Sequence, residues 1–355
     1  MCERISMYDK PSSTPTMVDV ARAAGVGVAT VDRVFSGRAR VRKATADKVL
    51  RAAKSLGYER SSEEGGELSG VGPATVRRLG FLLQKRTSPV YRVLAESLIE
   101  AARRYHGTRV TVTIDYCDTL DPDQVASALV RLGRQVEAIG VVATDHPEVA
   151  QAVAGLHRQG VPVFALLSEL SVDALSAGFV GQDGRKMGRS AAWAMSRMTR
   201  PGAVGIITGS HRYVCQELYE IGFRGYFREK APAFRVVEPI FSQEDPDQAA
   251  RATRELLEAE PELRGLYVAG GGIEGVVETL RERSRQDLLV VGHDLTATTR
   301  AALVDGTLDM LLSMPRRELA ERAVSAMVES LMAPQLDTLP RRVILPIDIF
   351  TPESV

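Results

Sequence analysis

Arg33 stands inside the run Val18-Asp-Val-Ala-Arg-Ala-Ala-Gly-Val-Gly-Val-Ala-Thr-Val-Asp-Arg-Val-Phe-Ser-Gly37. A guanidinium can grip O6 and N7 of a guanine together, so an arginine on a helix that enters the major groove reads base sequence directly. The run has the order such a reader needs: a short apolar-periodic segment, a turn at Gly25, and a second short segment. That is a helix-turn-helix arrangement, whose second helix lies in the groove with its early residues toward base edges. On this helix Val31 and Val34 are expected to face the core, while Val28, Ala29, Thr30 and Arg33 project outward.

A second constellation points to different chemistry. Gly270, Gly272 and Gly275 form G-x-G-x-x-G between a strand-like Leu266-Tyr-Val-Ala and a helix, and Asp294 ends the next apolar run, where a ribose-binding acid would stand. A nucleotide-binding oxidoreductase is therefore the alternative from another class. Against it, Glu274 would turn charge toward a pyrophosphate, and nothing else in the chain supplies hydride chemistry. The five histidines, His106, His146, His157, His211 and His293, show no metal spacing, and His293 beside Asp294 reads as a lining residue rather than a base. There is no G-x-S-x-G, Walker or H-E-x-x-H signature. Cys2, Cys117 and Cys215 are odd in number and far apart, which implies neither a disulfide framework nor a metal cage and fits a reducing cytoplasm. The expectation is a protein without catalytic residues, metal or cofactor.

Positioning these groups takes more than one core. The chain has 355 residues, and at roughly 100–200 residues per domain that means two or three folding units. Hydrophobic residues at 45% and charged residues at 25% exclude wholesale disorder. Forty-five Lys and Arg balance forty-five Asp and Glu, yet residues 10–60 carry eleven basic against four acidic side chains, or +7, which leaves the rest acidic. A small basic module on a larger acidic body suggests that one end meets a polyanion. No apolar run approaches the ~18 residues needed to span a bilayer, and residues 1–10 lack the apolar centre of a secretion signal, so a soluble, unexported, cytoplasmic protein is expected.

Residues 1–13 read as a flexible polar arm and 14–60 as a three-helix unit. Thr16 with Asp19 resembles a capping box, and helices are expected to Gly25, over 28–35, and over 43–56. Residues 61–78 hold four glycines, a proline and almost no large apolar side chains, which marks a linker. Beyond it, in 79–355, apolar runs at 79–83, 109–114, 139–143, 161–166, 204–208, 266–269 and 288–292 alternate with amphipathic stretches such as 92–105 and 122–132. This predicts an α/β body with parallel sheets covered on both faces, large enough for two similar lobes.

The first sixty residues resemble the DNA-binding head of the lactose-repressor (LacI) family, whose pattern is close to V-A-x-x-A-G-V-S-x-x-T-V-S-R-V-L-N-G. Val20, Ala21, Ala24, Gly25, Val26, Thr30, Val31, Arg33, Val34 and Gly37 match it, and Val-Arg-Lys-Ala-Thr-Ala-Asp-Lys-Val-Leu-Arg-Ala-Ala-Lys-Ser-Leu-Gly-Tyr58 matches the family's third helix. The stretches LGFLL, SPVY, VVATDHPEV, GVPVFALLSEL, FVGQDGRKMG, IGFRGY, LYVAGGGIEGV and VVGHDLT extend the likeness to the family's effector domain, itself similar to periplasmic sugar-binding proteins. The resemblance implies a repressor that binds a pseudopalindromic double-stranded operator as a homodimer. A small sugar-like or cyclitol-like ligand between the lobes would set its DNA affinity. DNA contacts are then expected at Thr16, Val28, Ala29, Thr30, Arg33, Arg40, Thr45 and Leu68, the last as the wedge that relatives drive into the minor groove.

Carried over in the same way, Asp145 and Asp294 would accept hydrogen bonds from ligand hydroxyls and Tyr91 would stack on a ring. Ser168, Gln182, Asp183 and Ser313 end strands, with Asp183 read equally well as a helix cap. Tyr219 stands three residues before Gly222-Phe223, where the family usually has an arginine that anchors the effector. Ala269 replaces a common asparagine, and Ser313-Met-Pro315 a common Gln-Asp-Pro. In the head, Gly27 and Asp32 stand at positions usually held by serine, and the family's P-N-x-x-A-R-x-L hinge is replaced by a Gly-rich acidic stretch.

Overall fold

The computed structural model describes residues 16–36, 42–56, 76–171, 176–283, 287–332 and 340–355. The chain divides into two compact units, Met1–Pro73 and Ala74–Val355.

The first unit holds α1 (Met17–Ala24), α2 (Val28–Ser36) and α3 (Lys43–Leu56). Thr16 opens α1 with the expected capping box: its hydroxyl accepts from the Asp19 amide at 3.4 Å, and the Asp19 carboxylate accepts from the Thr16 amide at 2.9 Å and hydroxyl at 2.6 Å. These bonds from Thr16 hold the Asp19 carboxyl below its ordinary range. Gly25 closes α1 at φ +65°, and the Val26 amide reaches back to the Ala21 carbonyl at 3.0 Å. No atom crowds a Cβ placed at Gly25, so the demand there is on the backbone alone. Val20, Ala21, Val31, Val49, Ala52 and Ala53 form the core, with Val34 packed against it. Arg40 and Leu68 lie outside the described residues.

The second unit has two lobes. The first is built from β1 (Arg77–Gln84), α4 (Pro89–Arg104), β2 (Val110–Cys117), α5 (Pro122–Gly133), β3 (Ala138–Val141), α6 (Pro147–Arg158), β4 (Val163–Leu166) and β5 (Gly178–Gln182). The chain then forms the second lobe with α7 (Gly184–Met198), β6 (Ala203–Thr208), α8 (Val214–Lys230), β7 (Arg235–Val236), β8 (Ile240–Phe241), α9 (Pro246–Ala259), β9 (Leu263–Val268), α10 (Ile273–Arg283), β10 (Leu289–His293), α11 (Ala297–Val304) and β11 (Met310–Ser313). It returns to the first lobe for α12 (Arg316–Met332) and β12 (Arg341–Leu345), and crosses again for β13 (Asp348–Phe350).

The first sheet runs β12-β5-β4-β3-β1-β2, all parallel; the second runs β13-β11-β10-β9-β6-β7, with β8 also on β6 and only β13 antiparallel. On β1, Leu79, Phe81 and Leu83 pack with α4 and α12, while Leu82 packs with α5 and α6. Burial on both faces explains why such strands read as unbroken apolar runs. In the second lobe α7 and α8 touch backbone to backbone: a Cβ on Gly188 would lie 1.9 Å from the Tyr219 carbonyl oxygen.

Two expectations need correction. The linker does not reach residue 78, because β1 begins at Arg77, whose guanidinium pairs with Glu137 at 3.0 Å. Six strands, β5, β7, β8, β11, β12 and β13, were not among the expected runs. All six are two to five residues long; β7 and β8 have two residues each and β12 and β13 expose much of their length, so these four lack the apolar signature of a buried strand, whereas β5 and β11 are buried.

Candidate functional site

On α2, Val31 is buried and Val34 half-buried, while Val28, Ala29 and Arg33 are exposed and Thr30 is half-buried. The helix thus anchors by its valines and presents the face that carries Arg33. Among the described residues no acidic side chain pairs with that guanidinium, which leaves its fork of donors free. Thr16 is committed to its capping box, and Thr45 is half-buried in the first turn of α3.

In the second unit the loops after the strands of both sheets meet. The Lys85 ammonium, past β1, donates to the Glu244 carbonyl past β8 at 2.7 Å; the Asp145 amide donates to the Arg212 carbonyl at 2.9 Å; the Cys215 amide donates to Ser168 Oγ at 3.3 Å. All five described non-glycine residues with positive φ, Lys85, Leu167, Gln243, Glu244 and Asp294, lie in these strand-end loops. Backbone strain of this kind persists only where surrounding structure holds it, and it gathers at functional sites.

The loops bring together Tyr91, Tyr219, Asp294 and Ser313 from the expected set. Tyr91, in the first turn of α4, packs against the same core as Cys215, and burial drives its phenol well above its ordinary range. Asp294 has φ +60°; its carboxylate accepts from Ser313 Oγ at 3.5 Å, and burial raises its pKa against the pull of Arg316. Tyr219 lies over His293 with ring centroids 4.8 Å apart, and His293 Nε2 meets the Tyr267 hydroxyl at 2.7 Å. Burial lowers the His293 pKa to about 4, so its ring is neutral at pH 7 and serves as wall rather than base. The Cys215 thiol is pushed up to about 11 by burial, which leaves it protonated.

Four other expected residues make bonds within the chain. Asp145 Oδ1 accepts from the Ser171 amide at 2.9 Å and lines a separate groove with His146, Gln151 and Arg158. Asp183 is the cap of α7, accepting from the Lys186 amide at 3.1 Å. Ser168 is buried against Cys215. Gln182 donates from Nε2 to the carbonyls of Ser313 at 3.2 Å and Pro346 at 2.7 Å. The chain crosses between lobes after β5, after β11 and after β12, so this one amide group ties all three crossings.

Sequence reasoning missed Glu244 and Gln216. Glu244 Oε1 accepts from Gln216 Nε2 at 2.6 Å and Oε2 from the Gly271 amide at 3.0 Å, while Gln216 Oε1 accepts from the amides of Gly209 at 2.7 Å and Ser210 at 2.9 Å. The only sequence signal was the polar run Ser242-Gln-Glu-Asp245 behind a two-residue strand. Among the described residues no group of three or more His, Cys, Asp or Glu is placed to hold a metal, and no helix is long and apolar enough to cross a membrane.

Residues 79–334 match the periplasmic binding protein domain, and residues 16–61 match bacterial regulatory proteins of the lacI family. The chain belongs to the periplasmic binding protein domain family and carries a lacI-family head. It is a DNA-binding transcriptional regulator of the lacI type. The regulator is 27% identical over 335 residues to an uncharacterized HTH-type transcriptional regulator in the aml 5′ region of Streptomyces limosus, covering 91% of this chain and 90% of that protein. It is 24% identical to the ribose operon repressor of Halalkalibacterium halodurans, covering 79% and 80%. Among solved structures, GanP, a glucose-galactose binding protein from Geobacillus stearothermophilus, superposes with a TM-score of 0.70 at 19% identity, covering 79% of this chain and 99% of that one. A solute binding protein from Agrobacterium vitis with bound D-fucose gives a TM-score of 0.70 at 19% identity, covering 78% and 96%.

The oxidoreductase reading of the Gly270, Gly272 and Gly275 loop is not supported. Those glycines serve packing: a Cβ on Gly270 would lie 2.0 Å from the Gly209 nitrogen, and one on Gly275 would lie 1.8 Å from the Pro246 carbonyl oxygen.

Proposed function

We propose that this regulator is a repressor that binds a pseudopalindromic operator as a homodimer and is switched by a small sugar-like or cyclitol-like effector held between its lobes. One observation carries the reading: a single chain joins an exposed arginine-bearing helix face to a bilobed domain whose strand-end loops converge on Tyr91, Tyr219, Glu244 and Asp294. The aromatic faces suit the apolar side of a ring, and the carboxylates suit hydroxyl donors. Names of relatives that include a ribose operon repressor, and of fold neighbours bound to D-fucose and D-allose, support the ligand class.

In this reading residues 1–13 are an arm, 14–60 the head, and the stretch up to β1 the linker, while the body supplies dimerisation and the effector site. Val28, Ala29, Thr30 and Arg33 meet bases and Arg40 adds to their selectivity; Thr16 and Thr45 meet the backbone, and Leu68 is the minor-groove wedge. The protein works in the cytoplasm by binding, without catalysis or cofactor. Two heads are needed because one three-helix module makes few contacts, and joining two raises their effective concentration on DNA. Ligand-dependent change in the lobe angle would alter head spacing, and a coupling of ~1–3 kcal/mol shifts operator affinity ~5–150-fold. The test is fluorescence anisotropy of the full chain on fragments of the source genome, with and without hits from a thermal-shift screen of sugars and cyclitols. Retardation of selected fragments that changes with a hit is expected; no binding to any fragment at low ionic strength overturns the reading.

A further inference from the structure

The carboxylate of Glu244 is enclosed by donors. It takes the Gly271 amide, two residues ahead of the first residue of the eleven-residue α10, and the side-chain amide of Gln216. The Lys85 ammonium, held at the Glu244 carbonyl, adds positive charge from the opposite lobe. Backbone amides ahead of a helix, a side-chain NH2 and an ammonium are the set that proteins use to hold a phosphate. Here the anion is part of the chain.

The surrounding residues are shaped for it. A Cβ on Gly209 would come within 1.5 Å of Glu244 Oε1, and one on Gly271 within 2.1 Å of Oε2, so both positions need glycine for this carboxylate to enter. Glu244 itself sits at φ +60° after Gln243 at φ 51°, a conformation that disfavours side chains with a Cβ and is sustained here by the bonds its side chain makes. Gln216 is buried and has its Oε1 held by two backbone amides, which fixes its NH2 toward Glu244.

We propose that Glu244 determines the charge selectivity of the cleft: its carboxylate occupies an anion-holding cradle among the described strand-end loops and so excludes phosphorylated and other anionic ligands, leaving the cleft to uncharged polyols. The proposal rests on the cleft being the effector site. A ligand phosphate entering this corner would meet the Glu244 carboxylate, whose removal leaves the Gly271 and Gln216 donors without an acceptor while Lys85 stays on the Glu244 backbone carbonyl.

The test uses the full chain and inorganic phosphate as the probe, with chloride at matched ionic strength as reference. Glu244→Gly suits the backbone at φ +60° and empties the cradle; Glu244→Ala is the second variant. Wild type is expected to show no phosphate-specific shift in Tm and no saturable heat in calorimetry. Either variant is expected to gain a saturable rise of about 2–4 °C at phosphate well above its Kd, and adding Gln216→Ala is expected to diminish it. Saturable phosphate binding by wild type, or folded variants with no phosphate-specific gain, overturns the proposal. If neither variant folds, the wild-type titration decides alone. Because the probe is neither sugar nor DNA, failure of the sugar-repressor reading shows up separately, as absence of any polyol or operator response.

Discussion

Replacing Gln182 by alanine removes two hydrogen bonds that hold the three crossings between lobes, those to Ser313 O at 3.2 Å and Pro346 O at 2.7 Å. Both partners are carbonyl oxygens, so only the NH2 end of the amide, with its two donors, satisfies the site. At about 0.5–1.5 kcal/mol per bond, and with the side chain only half-buried, the loss should be about 1–2 kcal/mol, or roughly 2–4 °C in Tm for a unit of this size. Gln182→Glu keeps the length but sets carboxylate oxygens against both carbonyls, so it should cost more than alanine. Urea unfolding followed by fluorescence reads this as a lower midpoint at unchanged slope. If both variants unfold with wild type while effector affinity drops, Gln182 is a ligand group and the hinge assignment is wrong.

Further outcomes are expected elsewhere. Arg33→Ala should lose about 1–3 kcal/mol per half-site of discrimination between operator and random DNA in anisotropy titrations, with little change in Tm; unchanged discrimination removes Arg33 from base reading. His293 has a folded pKa depressed to about 4 from 6.5, so the unfolded chain binds the extra proton and stability falls as pH drops from about 6.5 to 4, by roughly 3 kcal/mol at most. His293→Gln should remove that component, seen as a wild-type-minus-variant difference in Tm that grows with pH across this window; a pH-independent difference refutes it. Gly188→Ala should cost at least about 1–3 kcal/mol, because its Cβ would press on the Tyr219 carbonyl and force α7 from α8; a variant that melts like wild type refutes that packing.

Much of the fold was legible because its signals are local. The capping box at Thr16, the left-handed Gly25 and the valine spacing of α2 each involve residues within a few positions, so sequence order alone brings them together. Strands β1, β3, β4, β6, β9 and β10 were visible because both faces are buried and both must be apolar. The edge strands β12 and β13 were not, since half-exposed strands tolerate Arg341, Arg342 and Asp348. In the site, Asp294, Tyr91 and Tyr219 stood out by their types beside recognisable elements, whereas Glu244 followed a two-residue strand with no apolar signature.

What the sequence determined by itself was a basic helical head, an α/β body behind it and the chemical types available at strand ends. Periodicity, capping and charge act over short spans and need no partner to be read. Which of those polar groups bond to one another, and across what span of chain, was decided by tertiary structure. Gln182 finds its acceptors 131 and 164 residues away, and Glu244 finds donors 28 and 27 residues away. Hydrogen-bonding capacity belongs to a residue type, but the partner that saturates it belongs to the fold.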